Sequence, residues 1–138
     1  MPPHYVRSLD DYWIWLDGLM VVWAVNLESP TLIVRPIEDS EGEWQGLFVE
    51  SQRLRFYDKT FLNVGLTVRA DLTPEEYSFH YESENGRFFW RKCKNRMHLR
   101  DLGQLEHIHR PEHPERPAPY DEVDFEDVFN QVRNTGQS

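Results

Sequence analysis

The chain has 138 residues with a formal net charge of −9, 39% hydrophobic and 14% aromatic residues, and one cysteine, Cys93. This length fits one domain (residues 1–138) with one core, and the composition excludes disorder. The lone cysteine excludes an internal disulfide and a CxxC metal site, and the longest apolar run, Leu19 to Val25, is too short to span a membrane.

Met1-Pro2-Pro3-His4 leads into a charged segment rather than a secretory signal, so a soluble cytoplasmic protein is expected. Ser8 followed by Asp11 has the form of a helix start, with Asp10 and Asp11 set against the N-terminal dipole. Leu9, Tyr12, Trp13 and Leu16 continue at helical spacing, and Gly18 is placed to end the helix. Val21 to Val25 is β-branched and aromatic and reads as a strand, as does Thr31 to Val34. Residues 38–43 read as an acidic loop or turn. Gly46 to Phe56 and Phe61 to Val68 read as strands about an Asp58-Lys59 turn, the second loosened at Gly65.

Tyr77 to Glu82 alternates, with Tyr77, Phe79 and Tyr81 on one side and Ser78, His80 and Glu82 on the other. Asn85-Gly86 predicts a two-residue type I′ hairpin, and Phe88 to Cys93 is the return strand. That register sets Glu84 against Arg87, Glu82 against Phe89, and His80 against Arg91. Four prolines between 111 and 119 predict an extended linker that continues neither helix nor ladder. Asp124 then caps a helix over 124–134, with Phe125, Val128, Phe129 and Val132 as one apolar stripe. Residues 134–138 read as a frayed tail. The fold class expected is α+β: an antiparallel meander of four or five strands over about 20–95, a loop at 98–110 carrying two histidines, the linker at 111–119, and a helix at each end packed on the sheet.

Charge is unevenly spread. Residues 51–100 carry ten basic and six acidic side chains, whereas both flanks are strongly acidic. Arg87, Arg91, Lys92, Lys94, Arg96 and Arg100 fall in one stretch with no acidic residue among them. Such a patch suits phosphate, and Phe88, Phe89 and Trp90 within it offer rings for base stacking, although consecutive rings cannot all face one way. The plainer alternative is a solvated strand whose charges protect a sheet edge. His107 and His109, at i and i+2, project to the same face if extended, and can bind metal, share a phosphate or divide acid and base work. The plainer alternative is two rings solvated or bonded to backbone. His80 opposite Arg91 has its neutral form favoured, which suits a general base; a polar cross-strand row without chemistry is the alternative. Trp13, Trp15 and Trp23 are most simply core. Cys93, with cations around it, reads either as a nucleophile of lowered pKa or as a small buried hydrophobe.

The order of these pieces resembles the TumE-like toxins of prokaryotic toxin–antitoxin modules. The residues that carry the resemblance are Tyr77-Ser78-Phe79-His80, Gly86-Arg87 with the aromatic-basic return strand, Asn95, His98, His107-Ile108-His109, and Val123-Asp124-Phe125 after the proline-rich stretch. It covers roughly residues 75–132. Lys94 departs from it, standing where such toxins often carry an acidic residue; a carboxylate there that oriented a histidine or bound a metal would be missing. The resemblance implies a growth-inhibiting toxin held by a cognate antitoxin, commonly a helix-turn-helix protein.

Combined with the residues, this gives an RNA-directed toxin acting as a metal-independent ribonuclease. His80, His107 and His109 are its acid–base candidates. Tyr77, Arg87, Arg91, Lys92, Asn95 and Arg96 are its candidate substrate contacts, with Tyr77 or Tyr81 free to stack on a base or hold a histidine. No cofactor or metal is assigned, no membrane is involved, and the oligomeric state is left open. The alternatives are a non-catalytic module binding nucleic acid or protein through the basic hairpin, and a metal-dependent phosphoesterase using His80, His107 and His109.

Overall fold

The computed structural model describes residues 2–28 and 30–136. Seven antiparallel strands follow one another across a single sheet: β1 (Ile33–Glu38), β2 (Trp44–Arg55), β3 (Thr60–Arg69), β4 (Pro74–Ser83), β5 (Phe88–Lys94), β6 (Glu106–Arg110) and β7 (His113–Pro119). Helices α1 (Leu9–Trp23) and α3 (Phe125–Gly136) contribute to one core with it, and a single turn, α2 (Leu99–Leu102), lies between β5 and β6. The architecture is α+β, an antiparallel meander with a helix at each end of the chain.

The Ser8 hydroxyl caps α1 by accepting from the Asp11 amide at 3.1 Å. The helix does not stop at Gly18, and Val21 to Trp23 are helical rather than a strand. The buried set Leu9, Tyr12, Leu16, Met20 and Trp23 keeps steps of three and four residues through Gly18. That period outweighs the β-branched preference of Val21 and Val22, which point outward and stay exposed. The sheet therefore begins at Ile33, not near residue 20.

β2, β3 and β4 alternate as the sequence implies: Leu47, Val49, Leu62, Val64, Leu66, Val68, Tyr77, Phe79 and Tyr81 are all buried in the core. Gly65 keeps register with Glu50 and Ser78, so β3 is not loosened there. In α3, Asp124 accepts from the Asp127 amide at 2.9 Å, and Phe125, Val128, Phe129 and Val132 are each at most 1% exposed. Burial of those four stabilises by roughly 6–12 kcal/mol before entropy. Phe129 stacks on Trp23 with ring centroids 3.9 Å apart, joining the two ends of the chain. The helix runs to Gly136, beyond the end expected at 134; of the expected frayed tail, Gln137 and Ser138 lie outside the described residues.

Three further expectations are corrected. The hairpin turn is not type I′: the Gly86 amide donates to the Ser83 carbonyl, Gly86 alone takes positive φ (+90°), and the register slips between Tyr81 and Glu82. This is a type I turn with Gly86 in the left-handed position, and a second irregularity at Phe89, the extra residue of the slip, sets Glu82 against Phe88 but returns His80 to Arg91. The segment with His107 and His109 is strand β6, not a loop. The proline-rich segment is strand β7, not a linker; it lies at the sheet edge, where a residue without an amide hydrogen costs no ladder bond. Among the described residues no helix is long and apolar enough to cross a membrane.

Candidate functional site

Strand alternation sends Phe79, Tyr81 and Lys92 to the helix-covered face and His80, Arg91 and Cys93 to the other. The ladders then form two rows across β4, β5 and β6 on that second face. His80 pairs with Arg91 and Arg91 with His109; Ser78 pairs with Cys93 and Cys93 with His107. Three histidines separated by up to 29 positions thus share one side of three neighbouring strands.

His80, Arg91 and His109 line a cavity of about 680 Å³ together with Glu82, Arg87, Phe88, Phe89, Pro111 and Pro114. Arg91 Nη2 lies 3.4 Å from His109 Nε2. Arg91 forms no ion pair among the described residues, and its Nε is buried without a hydrogen-bond partner. A guanidinium so placed is a cation ready for an anion. Arg87 is exposed at the rim, its guanidinium 5.2 Å from the Phe89 ring centroid.

The tautomers of two histidines follow from their partners. His107 Nδ1 is 3.0 Å from the Leu105 carbonyl and His109 Nδ1 is 2.8 Å from the Pro114 carbonyl. A carbonyl only accepts, so Nδ1 carries the proton and Nε2 keeps its lone pair in the neutral ring. Burial lowers the pKa of both rings below the ordinary histidine value; the carbonyl bonds oppose this, and Arg91 and the neighbouring imidazoles reinforce it. His80 is also lowered, by burial first and by Arg91, against the pull of Glu82, whose carboxylate lies 3.8 Å from Nε2. All three histidines therefore favour the neutral form near pH 7.

His107, at 1% exposure, sits behind His109 and does not line the cavity. Arg96 is exposed after β5, and Asn95 accepts from the Met97 amide at 3.0 Å; neither lines the cavity.

Several expected contacts lie elsewhere. Lys92 is 3% exposed on the helix-covered face, where it sits 4.6 Å from the Trp90 ring, 4.9 Å from the Tyr120 ring and hydrogen-bonds Gln131. It packs there on the face opposite the cavity and does not line it. Tyr77 is buried on the same face with its hydroxyl accepting from the Val123 amide at 3.1 Å, and the buried Tyr81 hydroxyl donates to Thr60 at 3.0 Å. Neither ring is free to stack on a base or to hold a histidine. Lys94 is also on that face, 2.6 Å from Glu122 and 2.8 Å from the Pro74 carbonyl. The six-cation run is thus divided between the two faces. Burial pushes the Cys93 thiol up, outweighing Arg91, so Cys93 is not an activated nucleophile.

Two features had only weak local signals. His98, just before α2, packs its ring 5.0 Å from His107 and 5.5 Å from His109, while those two are 5.1 Å apart. Cys93, His107 and His109 present donor atoms all within 4.8 Å of one another. The signals for His98 were its place in the block order that resembles the TumE-like toxins and its position shortly before the His107 pair.

No curated protein and no solved structure matches the chain. A family model described as Toxin TumE matches residues 33–135. That span runs from β1 through nearly all of α3, holds every cavity and histidine-cluster residue described above, and exceeds half of the chain. The chain belongs to the TumE toxin family.

Proposed function

We propose that this toxin cleaves RNA by acid–base chemistry, without a metal, in the cavity that His80, Arg91 and His109 line. Its family implies a cognate antitoxin as partner. The observation that carries the reading is the Arg91 guanidinium, without an ion pair among the described residues, set between two imidazoles on the strands either side of its own. Two strand spacings put the His80 and His109 backbones about 10 Å apart, enough to hold a phosphodiester between them.

His109 is the general base: its Nδ1–H is anchored on Pro114 and its Nε2 lone pair faces Arg91. It takes the proton of the ribose 2′-hydroxyl as that oxygen attacks phosphorus. His80 is the general acid in its protonated fraction: Glu82, 3.8 Å from Nε2, opposes the lowering of its pKa by burial and Arg91, and the imidazolium donates to the departing 5′-oxygen. Arg91 and Arg87 carry the charge that builds on the phosphoryl oxygens. His107 acts as a positioning residue behind His109, 5.1 Å ring to ring.

The test is incubation of purified toxin with single-stranded RNA in excess chelator. The reading expects 2′,3′-cyclic phosphate and 5′-hydroxyl ends, and no cut at a 2′-deoxy position. Absence of cleavage, or cleavage abolished by the chelator, overturns it. The second outcome would favour a metal-dependent phosphoesterase.

A further inference from the structure

We propose that Cys93, His98, His107 and His109 form a closed Zn²⁺ site whose occupation switches the cavity off. The ladder sets Cys93 directly against His107, and His109 follows two residues along the same face. The donor atoms of these three lie within 4.8 Å of one another. Ligand atoms around a tetrahedral zinc lie about 3.3–3.8 Å apart, so a contraction of roughly an ångström closes the set. His98 approaches both other rings from the segment before α2.

The orientation of the rings suits ligation. His107 and His109 each donate Nδ1–H to a backbone carbonyl, which leaves Nε2 for a metal; zinc-binding histidines are commonly held this way. One thiolate and three imidazoles match Zn²⁺ better than magnesium or calcium, which want oxygen ligands. Binding displaces the Cys93 thiol proton to solvent and forms a Zn–S bond with no change of oxidation state.

Four protein ligands leave no open position for a metal-bound water, so the ion is not a hydrolytic cofactor here. It takes the His109 lone pair instead, and the 3.4 Å contact with Arg91 is given up. This inhibitory consequence rests on His109 being the base; metal binding itself does not.

Protein stripped of metal and kept reduced is titrated with Co²⁺, then with Zn²⁺ against a chromophoric chelator. One equivalent of Co²⁺ should bind with tetrahedral visible bands and a thiolate charge-transfer band. Cys93→Ser should lose that band, and His98→Ala, at a half-buried position, should keep it while binding at least tenfold more weakly. His113→Gln, at the exposed start of β7, should match the parent. Circular dichroism of each variant separates lost ligation from lost folding. Stoichiometric Zn²⁺ should depress RNA cleavage at least tenfold in the parent. Failure of the parent to bind Co²⁺, or binding unchanged in both Cys93→Ser and His98→Ala, overturns the site. Tight binding that leaves cleavage unaltered overturns the switch. If the parent cuts no RNA, the nuclease reading falls while the cobalt spectrum still decides the metal site.

Discussion

Arg91 Nη2 stands 3.4 Å from His109 Nε2 across the β5–β6 ladder, and the His109 ring is fixed from its other side by the Pro114 carbonyl. A cation beside a neutral imidazole lone pair keeps that imidazole unprotonated and leaves further guanidinium donors for a phosphate. Replacing Arg91 by Gln should cut RNA cleavage by about 10²–10³, the usual effect of losing one transition-state donor, with little change in melting temperature. Single-turnover rates at saturating RNA, beside a thermal melt, check this; an equally large loss of folding would reassign Arg91 to structure.

Substituting His80 or His109 by Ala should each lower cleavage by roughly 10²–10⁴. The double variant should fall much less than the product of the two, because acid and base act in one step. Expression of the double variant should no longer arrest growth. Retained toxicity in a folded double variant would remove both residues from the chemistry.

Lys94 is 6% exposed, with Glu122 at 2.6 Å and Glu106 at 3.8 Å. Lys94→Met should destabilise by about 1–3 kcal/mol, because the Pro74 carbonyl, the largely covered Glu106 and the half-exposed Glu122 lose a charged partner that solvent replaces only in part. Lys94→Asp should cost more, since it places a third carboxylate beside two. Lys94 lies on the face away from the histidines, so an acid there gains no contact with them. Urea denaturation of both variants tests the ordering.

Phe129 is fully buried between Trp23 and Phe56, with ring centroids at 3.9 and 5.6 Å. Phe129→Ala should destabilise by about 3–5 kcal/mol through the cavity it leaves. Phe129→Leu should recover most of that stability. The measurement is the denaturation midpoint of each variant; equal losses for Ala and Leu would mean that volume is not what this position supplies.

Acidification should weaken the fold through His80, His107 and His109, whose pKa values are all lowered on folding. The unfolded chain then binds more protons than the native state below the ordinary histidine pKa of about 6.5. Stability from these groups is complete above that pH and is lost as pH falls from there through the lowered native values. Denaturation midpoints measured in chelator from pH 7.5 downward should decline before the carboxylates titrate. His107→Gln should flatten the decline, and an unaltered slope would count against burial as the cause.

Local pattern settled much of this molecule in advance. The alternation of Tyr77, Phe79 and Tyr81, the glycine turn at Gly86, the Ser8 and Asp124 caps and the stripe from Phe125 to Val132 each depend on neighbours within a few residues. Alternation also set His80 against Arg91, and that pairing survived the bulge because the two-against-one slip lies between it and the turn. What the chain could not declare locally was anything decided by distant partners. The end of α1 depends on the Trp23–Phe129 stack, formed by residues 106 positions apart. The prolines of β7 are tolerated only because the strand falls at an edge. Lys92 and Lys94 look like surface cations until Gln131, Tyr120 and Glu122 fold over them. The β5–β6 pairing brings Cys93 to His107 and packing brings His98 to both, since backbone register fixes which face a side chain takes and long-range closure fixes what it meets there.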